Sequence, residues 1–209
     1  MKDHLAALRE EYTRAGLTEA DLAPDPFAMF GRWFAEASEL DESNAMVLAT
    51  VSPAGQPSAR IVLLKDLHER GFVFFTNLRS RKATDLAANP RCSLLFPWHG
   101  LQRQVRVEGV AEQIDRDEVA AYFSTRPRGA QLGAWASPQS SVTTSSELES
   151  RYAEAGATYP SDVPAPDFWG GYVVRPRSVE FWQGRQNRMH DRLRYRREDG
   201  AWITERLAP

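Results

Sequence analysis

Between Val179 and Arg192 the chain reads Val-Glu-Phe-Trp-Gln-Gly-Arg-Gln-Asn-Arg-Met-His-Asp-Arg. Arg188, His190 and Arg192 stand at spacing two, so an extended backbone would project two guanidiniums and an imidazole from one face and turn Met189 and Asp191 to the other. That face would bind an anion and carry a titratable group at its centre. Taken alone, the stretch also fits a solvated strand edge of alternating charge. It follows an apolar strand containing Val179, Phe181 and Trp182, and Gln183-Gly184 reads as a bend between the two.

Two further groupings point to anions. Ser80 is placed to cap a helix running to about Ala88, which puts Arg81 and Lys82 in its first turn. Cations beside the positive end of a helix dipole are unfavourable unless an anion joins them. Tyr122 and Arg126 are four apart at the end of another helix, so a phenol and a guanidinium can converge on one anion, although a surface stacking pair has the same spacing. Only three lysines, Lys2, Lys65 and Lys82, occur against 23 arginines. An internal lysine in such a chain marks a place suited to a compact ammonium. No Ser-His-Asp order, His-Glu-x-x-His, Cys-x-x-Cys or clustered carboxylate pair is present, so hydrolytic and zinc chemistry lack support and no metal site is expected. Gly-x-Gly-x-x-Gly and Walker-type loops are also missing, which leaves side chains and helix ends to hold any phosphate.

The elements that must position these groups are mostly strands. Leu5 to Gly16 reads as a short helix with Arg9 and Tyr12 on one face. Asp25-Pro26 opens a second helix to about Leu40, with Phe27, Phe30, Trp33, Phe34 and Ala37 on the helical period. Strands follow at Ala45 to Val51, Ala59 to Leu67 and Gly71 to Thr76, then a hairpin of Arg91 to Trp98 and Leu101 to Gln113 with Gln104 on its polar alternate. Closely spaced strands joined by turns predict an antiparallel sheet or barrel. Asp115 with Glu118 has the form of a capping box for a helix to about Thr125. Gln131 to Trp135 and Ser146 to Ala157 are helical, with Gln139 and Ser140 in the polar loop between them. Asp199-Gly200 predicts a tight turn joining two closing strands.

At 209 residues, with 28 acidic and 26 basic side chains and a formal charge of -2, the chain has no global field for nucleic acid or an anionic membrane. Its single cysteine, Cys92, lies in an apolar run. With neither a transmembrane run nor a signal-peptide core, the composition is that of a soluble cytoplasmic protein.

Glu180-Phe181-Trp182-Gln183 followed by Arg188-Met189-His190-Asp191-Arg192 resembles the C-terminal signature of the pyridoxine/pyridoxamine 5'-phosphate oxidases. Arg60 to Lys65, Ser80-Arg81-Lys82, Gln104-Val105, Arg126-Pro127-Arg128, Gln131 to Trp135 and Arg206 to Pro209 resemble that family in its order, so the likeness spans about Leu8 to Pro209. It implies a mainly β fold with flanking helices, the FMN-binding split β-barrel, as a single domain over 1–209. It also implies a homodimer with flavin mononucleotide at the subunit interface. Carried over by position, Arg60, Ile61, Val62, Leu63, Leu64, Lys65, Phe75, Thr76, Arg81, Lys82, Gln104, Gln139, Ser140, Trp182 and Arg192 would contact the flavin. Lys65, Tyr122 and Arg126 would grip the substrate phosphate, and Arg188 and His190 would hold the pyridine ring as the catalytic pair. Arg9 and Tyr12 would belong to a mobile N-terminal segment, residues 1–22, that closes over substrate. Strict alternation puts Arg60 and Lys65 on opposite strand faces, so a twist, a bulge or the dimer partner must reconcile those two assignments.

The implied reaction oxidises pyridoxine or pyridoxamine 5'-phosphate to pyridoxal 5'-phosphate, with dioxygen as final acceptor and hydrogen peroxide as product. Another split-barrel flavin oxidoreductase, or a non-catalytic carrier of flavin or pyridoxal phosphate, would share the barrel without needing all of these groups. Three positions depart from the family's usual pattern: Phe75 stands where tyrosine is frequent, Met189 where leucine is, and Ala130 where a serine commonly reaches the substrate phosphate.

Overall fold

The computed structural model describes residues 16–209. The expected helix bearing Arg9 and Tyr12 lies outside them. In chain order the elements are α1 (Pro26–Ala37), β1 (Ala45–Val51), β2 (Pro57–Leu63), β3 (Asp66–His68), β4 (Gly71–Asn77), α2 (Arg81–Ala88), β5 (Arg91–Trp98), β6 (Arg103–Gln113), α3 (Arg116–Ser124), α4 (Arg128–Ala136), α5 (Ser145–Thr158), β7 (Trp169–Gln183), β8 (Asp191–Glu198) and β9 (Ala201–Arg206). Hydrogen-bonded neighbours follow the order β2-β1-β5-β6-β7-β4-β3, with β8 between β7 and β9. Among the described residues no helix is long and apolar enough to cross a membrane.

The described residues divide into two compact units, one made of 16–47, 93–108 and 176–209, the other of 48–92 and 109–175. In the first, Asp25 caps α1 by accepting from Phe27 N–H and Ala28 N–H at 2.8 and 2.9 Å, and Pro26 occupies the first helical position. The helix then buries Met29, Phe30, Trp33 and Ala37. Phe30 meets Phe96 edge-on at 4.8 Å and Trp33 meets Phe181 at 5.2 Å. Each such aromatic contributes about 1.5–3 kcal/mol through burial, plus a smaller gain from ring geometry. Tyr195 is buried in the same core, and its hydroxyl donates to Ala23 C=O at 2.7 Å. β7 pairs with β8 in a register that sets Trp182 opposite Arg192. The turn from β8 to β9 has positive φ at both Asp199 (47°) and Gly200 (84°), as a two-residue Asp-Gly hairpin turn requires.

In the second unit β4 pairs with β7, Phe75 opposite Gly171 and Asn77 opposite Trp169. A Cβ at Gly171 would come within 2.7 Å of Ile114 and 2.8 Å of Phe75, so any larger residue would force these side chains to shift. Val73, Val119, Phe123, Leu132 and Trp169 form the core beneath.

Two local expectations are corrected. The predicted strand Ala59 to Leu67 is two strands, broken at Leu64–Lys65, where Lys65 N–H donates to Val73 C=O at 2.9 Å. The capping box does not form: Asp115 makes no side-chain cap on α3, and Glu118 pairs instead with Arg70 at 2.8 Å. A complete capping box forms instead at Thr144 and Glu147, at the start of α5.

Candidate functional site

A cavity of about 490 Å³ opens in the second unit. From the residues singled out in the sequence it collects Ile61, Val62, Leu63 and Lys65 at the end of β2, Phe75 and Thr76 on β4, Lys82 on α2, Tyr122 and Arg126 at the end of α3, and Gln139. Ala130 also lines it, together with Trp169. Leu64 is buried and is not part of the lining. The break after Leu63 accounts for the Arg60 and Lys65 conflict, because the two residues do not share one regular strand. Arg60 is held away from the lining, donating to Leu48 C=O, Thr50 Oγ1 and Ser58 Oγ at 2.8–2.9 Å and standing 3.9 Å from the Asp85 carboxylate.

The electrostatics of the cavity are one-sided. Lys82 is 8 % exposed and, among the described residues, donates to neutral oxygens, Thr76 Oγ1 at 3.2 Å, Ser80 Oγ at 3.3 Å and Gln139 Oε1 at 3.1 Å. Burial, with the nearby Arg60 charge second, lowers its pKa. Ser80 is the N-cap of α2, yet its hydroxyl serves Lys82 instead of a helix amide. The first amide of α2, Arg81 N–H, donates to Ser140 Oγ at 3.1 Å. Ser140 reaches it from a left-handed backbone conformation, φ 77°. Arg126 has its pKa lowered by burial, and its Nη1 is buried with no hydrogen-bond partner among the described residues. Among the described residues neither of these two partly desolvated cations pairs with a carboxylate, an arrangement whose charge suits anionic ligands.

Aromatic rings build one wall. Phe75 and Tyr122 lie face to face at 4.0 Å, Phe75 and Trp169 stack at 5.3 Å, and Arg126 sits 4.8 Å above the Trp169 ring. Sequence reasoning passed over Trp169. The signal available was its position just before Gly170-Gly171, a glycine pair that brings the backbone close to its neighbours.

The remaining candidates, Gln104, Trp182, Arg188, His190 and Arg192, belong to the first unit. Gln104 does alternate with buried Val105 and Val107 on β6, as its polar position predicts. The expected alternation of Arg188, His190 and Arg192 on one extended face is overturned. Gln186–Arg188 form a 3-10 turn, Asn187 and Arg188 both have positive φ (54° and 60°), and β8 begins only at Asp191. Arg185 N–H donates to His190 Nδ1 at 3.1 Å, and this bond across the turn draws the chain out of an extended path. His190 packs against Trp182 at 4.7 Å, and burial followed by the Arg188 charge lowers its pKa. Arg192 is drawn to Glu180, which is 3 % exposed: Nε donates to Oε1 at 2.7 Å while Arg106 pairs with the same carboxylate. The buried Glu180 carboxylate, shared by two partly exposed arginines, fixes the guanidinium of Arg192 by charge-assisted bonds.

Known proteins resemble the chain over nearly its whole length. The pyridoxamine 5'-phosphate oxidase family model matches residues 35–157, and the model described as the pyridoxine 5'-phosphate oxidase C-terminal dimerisation region matches 169–209. A pyridoxine/pyridoxamine 5'-phosphate oxidase of Nocardioides sp. is 65% identical over 208 residues, covering 98% of each chain. One from Rubrobacter xylanophilus is 59% identical, covering 98% of this chain and 96% of its own. Among solved structures, PhzG from Burkholderia lata, in complex with tetrahydrophenazine-1-carboxylic acid, superposes with a TM-score of 0.89 at 28% identity, covering 96% of this chain and all of PhzG. An FMN-binding protein from Nostoc punctiforme related to pyridoxamine 5'-phosphate oxidase has a TM-score of 0.73 at 20% identity over 90% of this chain and all of its own, a likeness of fold. The fold class is thus the expected split barrel, mainly β with flanking helices, and the chain belongs to the pyridoxine/pyridoxamine 5'-phosphate oxidase family.

Proposed function

We propose that the protein oxidises pyridoxine 5'-phosphate or pyridoxamine 5'-phosphate to pyridoxal 5'-phosphate with bound flavin mononucleotide, dioxygen as electron acceptor and hydrogen peroxide as product, and that it works as a homodimer. The observation that carries this reading is a pair of cations in one cavity, the buried Lys82 and the half-buried Arg126 with its buried Nη1, that among the described residues pair with no carboxylate. Two phosphorylated aromatic ligands would supply the two missing anions. The donor set fits flavin mononucleotide: Lys82 and Arg81 would meet its phosphate at the start of α2, and Gln139 and Thr76 offer polar groups beside them. The dimer reading rests on the match of residues 169–209 to a dimerisation region.

Flavin, when bound, supplies the two-electron acceptor. The protein's part is to bind and orient. Lys65, Tyr122 and Arg126 would hold the substrate phosphate, and the stacked Phe75, Tyr122 and Trp169 exclude water from that side of the cavity. Arg188 and His190 would place the pyridine ring for transfer, a contribution from near-attack geometry and electrostatics. The Nδ1 of His190 accepts from Arg185 N–H, so its neutral ring carries the proton on Nε2 and meets substrate as a donor. Arg9 and Tyr12, outside the described residues, would complete the substrate contacts from the N-terminal segment. The purified protein should be yellow, and pyridoxine 5'-phosphate should bleach it in the absence of oxygen. Colour without bleaching would mean a carrier, and failure to take up flavin on reconstitution would overturn the reading.

Ala130 allows a finer test. It lines the cavity beside Tyr122 and Arg126, where a serine hydroxyl could donate to a phosphate oxygen. Bonds to charged groups contribute about 1.5–3 kcal/mol, so Ala130→Ser should lower KM for the phosphorylated substrate by up to about tenfold at the lower end of that range. Because the phosphate does not react, kcat should stay within about twofold. Steady-state kinetics with phosphorylated and unphosphorylated pyridoxine checks it, the latter gaining nothing.

A further inference from the structure

Arg126 follows α3, just after its last turn; its N–H donates to Phe123 C=O at 3.2 Å, while among the described residues its buried Nη1 has no hydrogen-bond partner. Aromatic faces hold it: the guanidinium carbon is 4.8 Å from the Trp169 ring centroid and 5.4 Å from that of Phe123. A guanidinium on an aromatic face is attracted by the ring's quadrupole, most strongly by tryptophan, and gains more when water is excluded. The contact leaves the N–H groups in the guanidinium plane unconsumed. A carboxylate at the same distance would have occupied them.

Trp169 is itself held on every side. It is 6 % exposed, faces Asn77 at the first position of β7, stacks on Phe75 and takes the edge of Phe123 at 4.8 Å. Its carbonyl accepts from Arg116 Nη1 at 2.8 Å and its amide donates to Pro166 C=O at 2.9 Å. A ring so fixed passes its rigidity to whatever rests on it.

We infer that Trp169 is a positioning and specificity-determining residue, holding the Arg126 guanidinium by its ring face so that Nη1 is kept for the phosphate monoester of the substrate. The inference rests on the substrate phosphate being gripped by Arg126, as proposed above. It assigns to the indole the discrimination between phosphorylated and unphosphorylated substrate, with no contact of its own to the phosphate.

The test is a double-mutant cycle on the flavin-loaded protein, with phenyl phosphate as an unreactive aromatic phosphate monoester and calorimetry as the readout. Trp169→Leu should raise its Kd about tenfold, equivalent to about 1.4 kcal/mol. Trp169→Phe, which keeps a ring face, should raise it only about threefold. In an Arg126→Ala background neither change should matter further. In turnover, KM for pyridoxine 5'-phosphate should rise in step while kcat stays within about twofold and unphosphorylated pyridoxine is unaffected. Losses that simply add to that of Arg126→Ala, or that fall equally on pyridoxine, would overturn the inference and leave Trp169 a core residue. If Trp169→Leu does not fold, the cycle with Trp169→Phe decides on the same criteria. A wild-type protein that binds phenyl phosphate with the expected coupling but fails to oxidise pyridoxine 5'-phosphate would sink the proposed function and leave the inference standing.

Discussion

Lys82→Ala should weaken flavin mononucleotide binding by about 30-fold or more, since removing one partner of a buried, hydrogen-bonded charge pair costs about 2–5 kcal/mol. The ammonium is almost fully buried, its pKa is lowered by burial, and its three acceptors, Thr76, Ser80 and Gln139, are neutral. A phosphate is the counter-charge that would make such burial favourable. Without ligand, the variant should be no less stable than wild type, because it removes a desolvated charge that has no partner of opposite sign. Flavin titration by fluorescence quenching, with thermal unfolding of the apo-protein alongside, measures both halves. Lys82→Ala that binds flavin normally would move the flavin phosphate away from α2. Turnover at saturating flavin should be nearly unchanged, because Lys82 is not assigned to substrate.

Lys82 was legible in the sequence for a physical reason, as a cation in the first turn of a helix and one of only three lysines. The hairpin at Asp199-Gly200 and the cap at Asp25-Pro26 were legible too, since each is settled by a few adjacent residues. What the sequence misplaced depends on partners far along the chain. Glu118 fits a capping box locally, but Arg70, 48 residues earlier, offers a charged partner that a helix amide does not match. The break after Leu63 depends on where β4 meets the chain. Trp169 gains its place in the cavity only through register with β4 and contact with the end of α3.

The alternation of Arg188, His190 and Arg192 failed for a related reason. Period-two spacing licenses a strand only if the backbone is free to extend, and here the bond from Arg185 N–H to His190 Nδ1 pulls the segment into a turn. Two successive non-glycine residues with positive φ, Asn187 and Arg188, are uncommon. Strain of about 1–3 kcal/mol per such residue persists only where surrounding contacts over-determine it, and it is concentrated at functional sites.

Arg188→Ala should therefore lower kcat/KM for pyridoxine 5'-phosphate by about 100-fold, the lower end of the loss when one preorganised electrostatic donor is removed from an active site. Flavin content should stay normal, the reverse of Lys82→Ala. Alanine in the left-handed region bears the same kind of strain as arginine, so the loss would report the guanidinium and not the backbone. Arg188→Gly relieves that strain and should still be slow, whereas a relaxed turn that restored turnover would show that conformation mattered and charge did not. His190→Ala should act in the same direction, and the pH profile distinguishes its role. Its pKa is lowered from 6.5 by burial and by Arg188, so the ring is neutral above that value and gains a proton only as pH falls below it. As a neutral donor through Nε2, it should give a kcat/KM that is flat from about pH 7 upward and declines only in acid, in a limb that His190→Ala abolishes. A limb at or above pH 7 that vanished in His190→Ala would mean that the imidazole takes a proton in turnover, and the orienting role given to it here would be wrong.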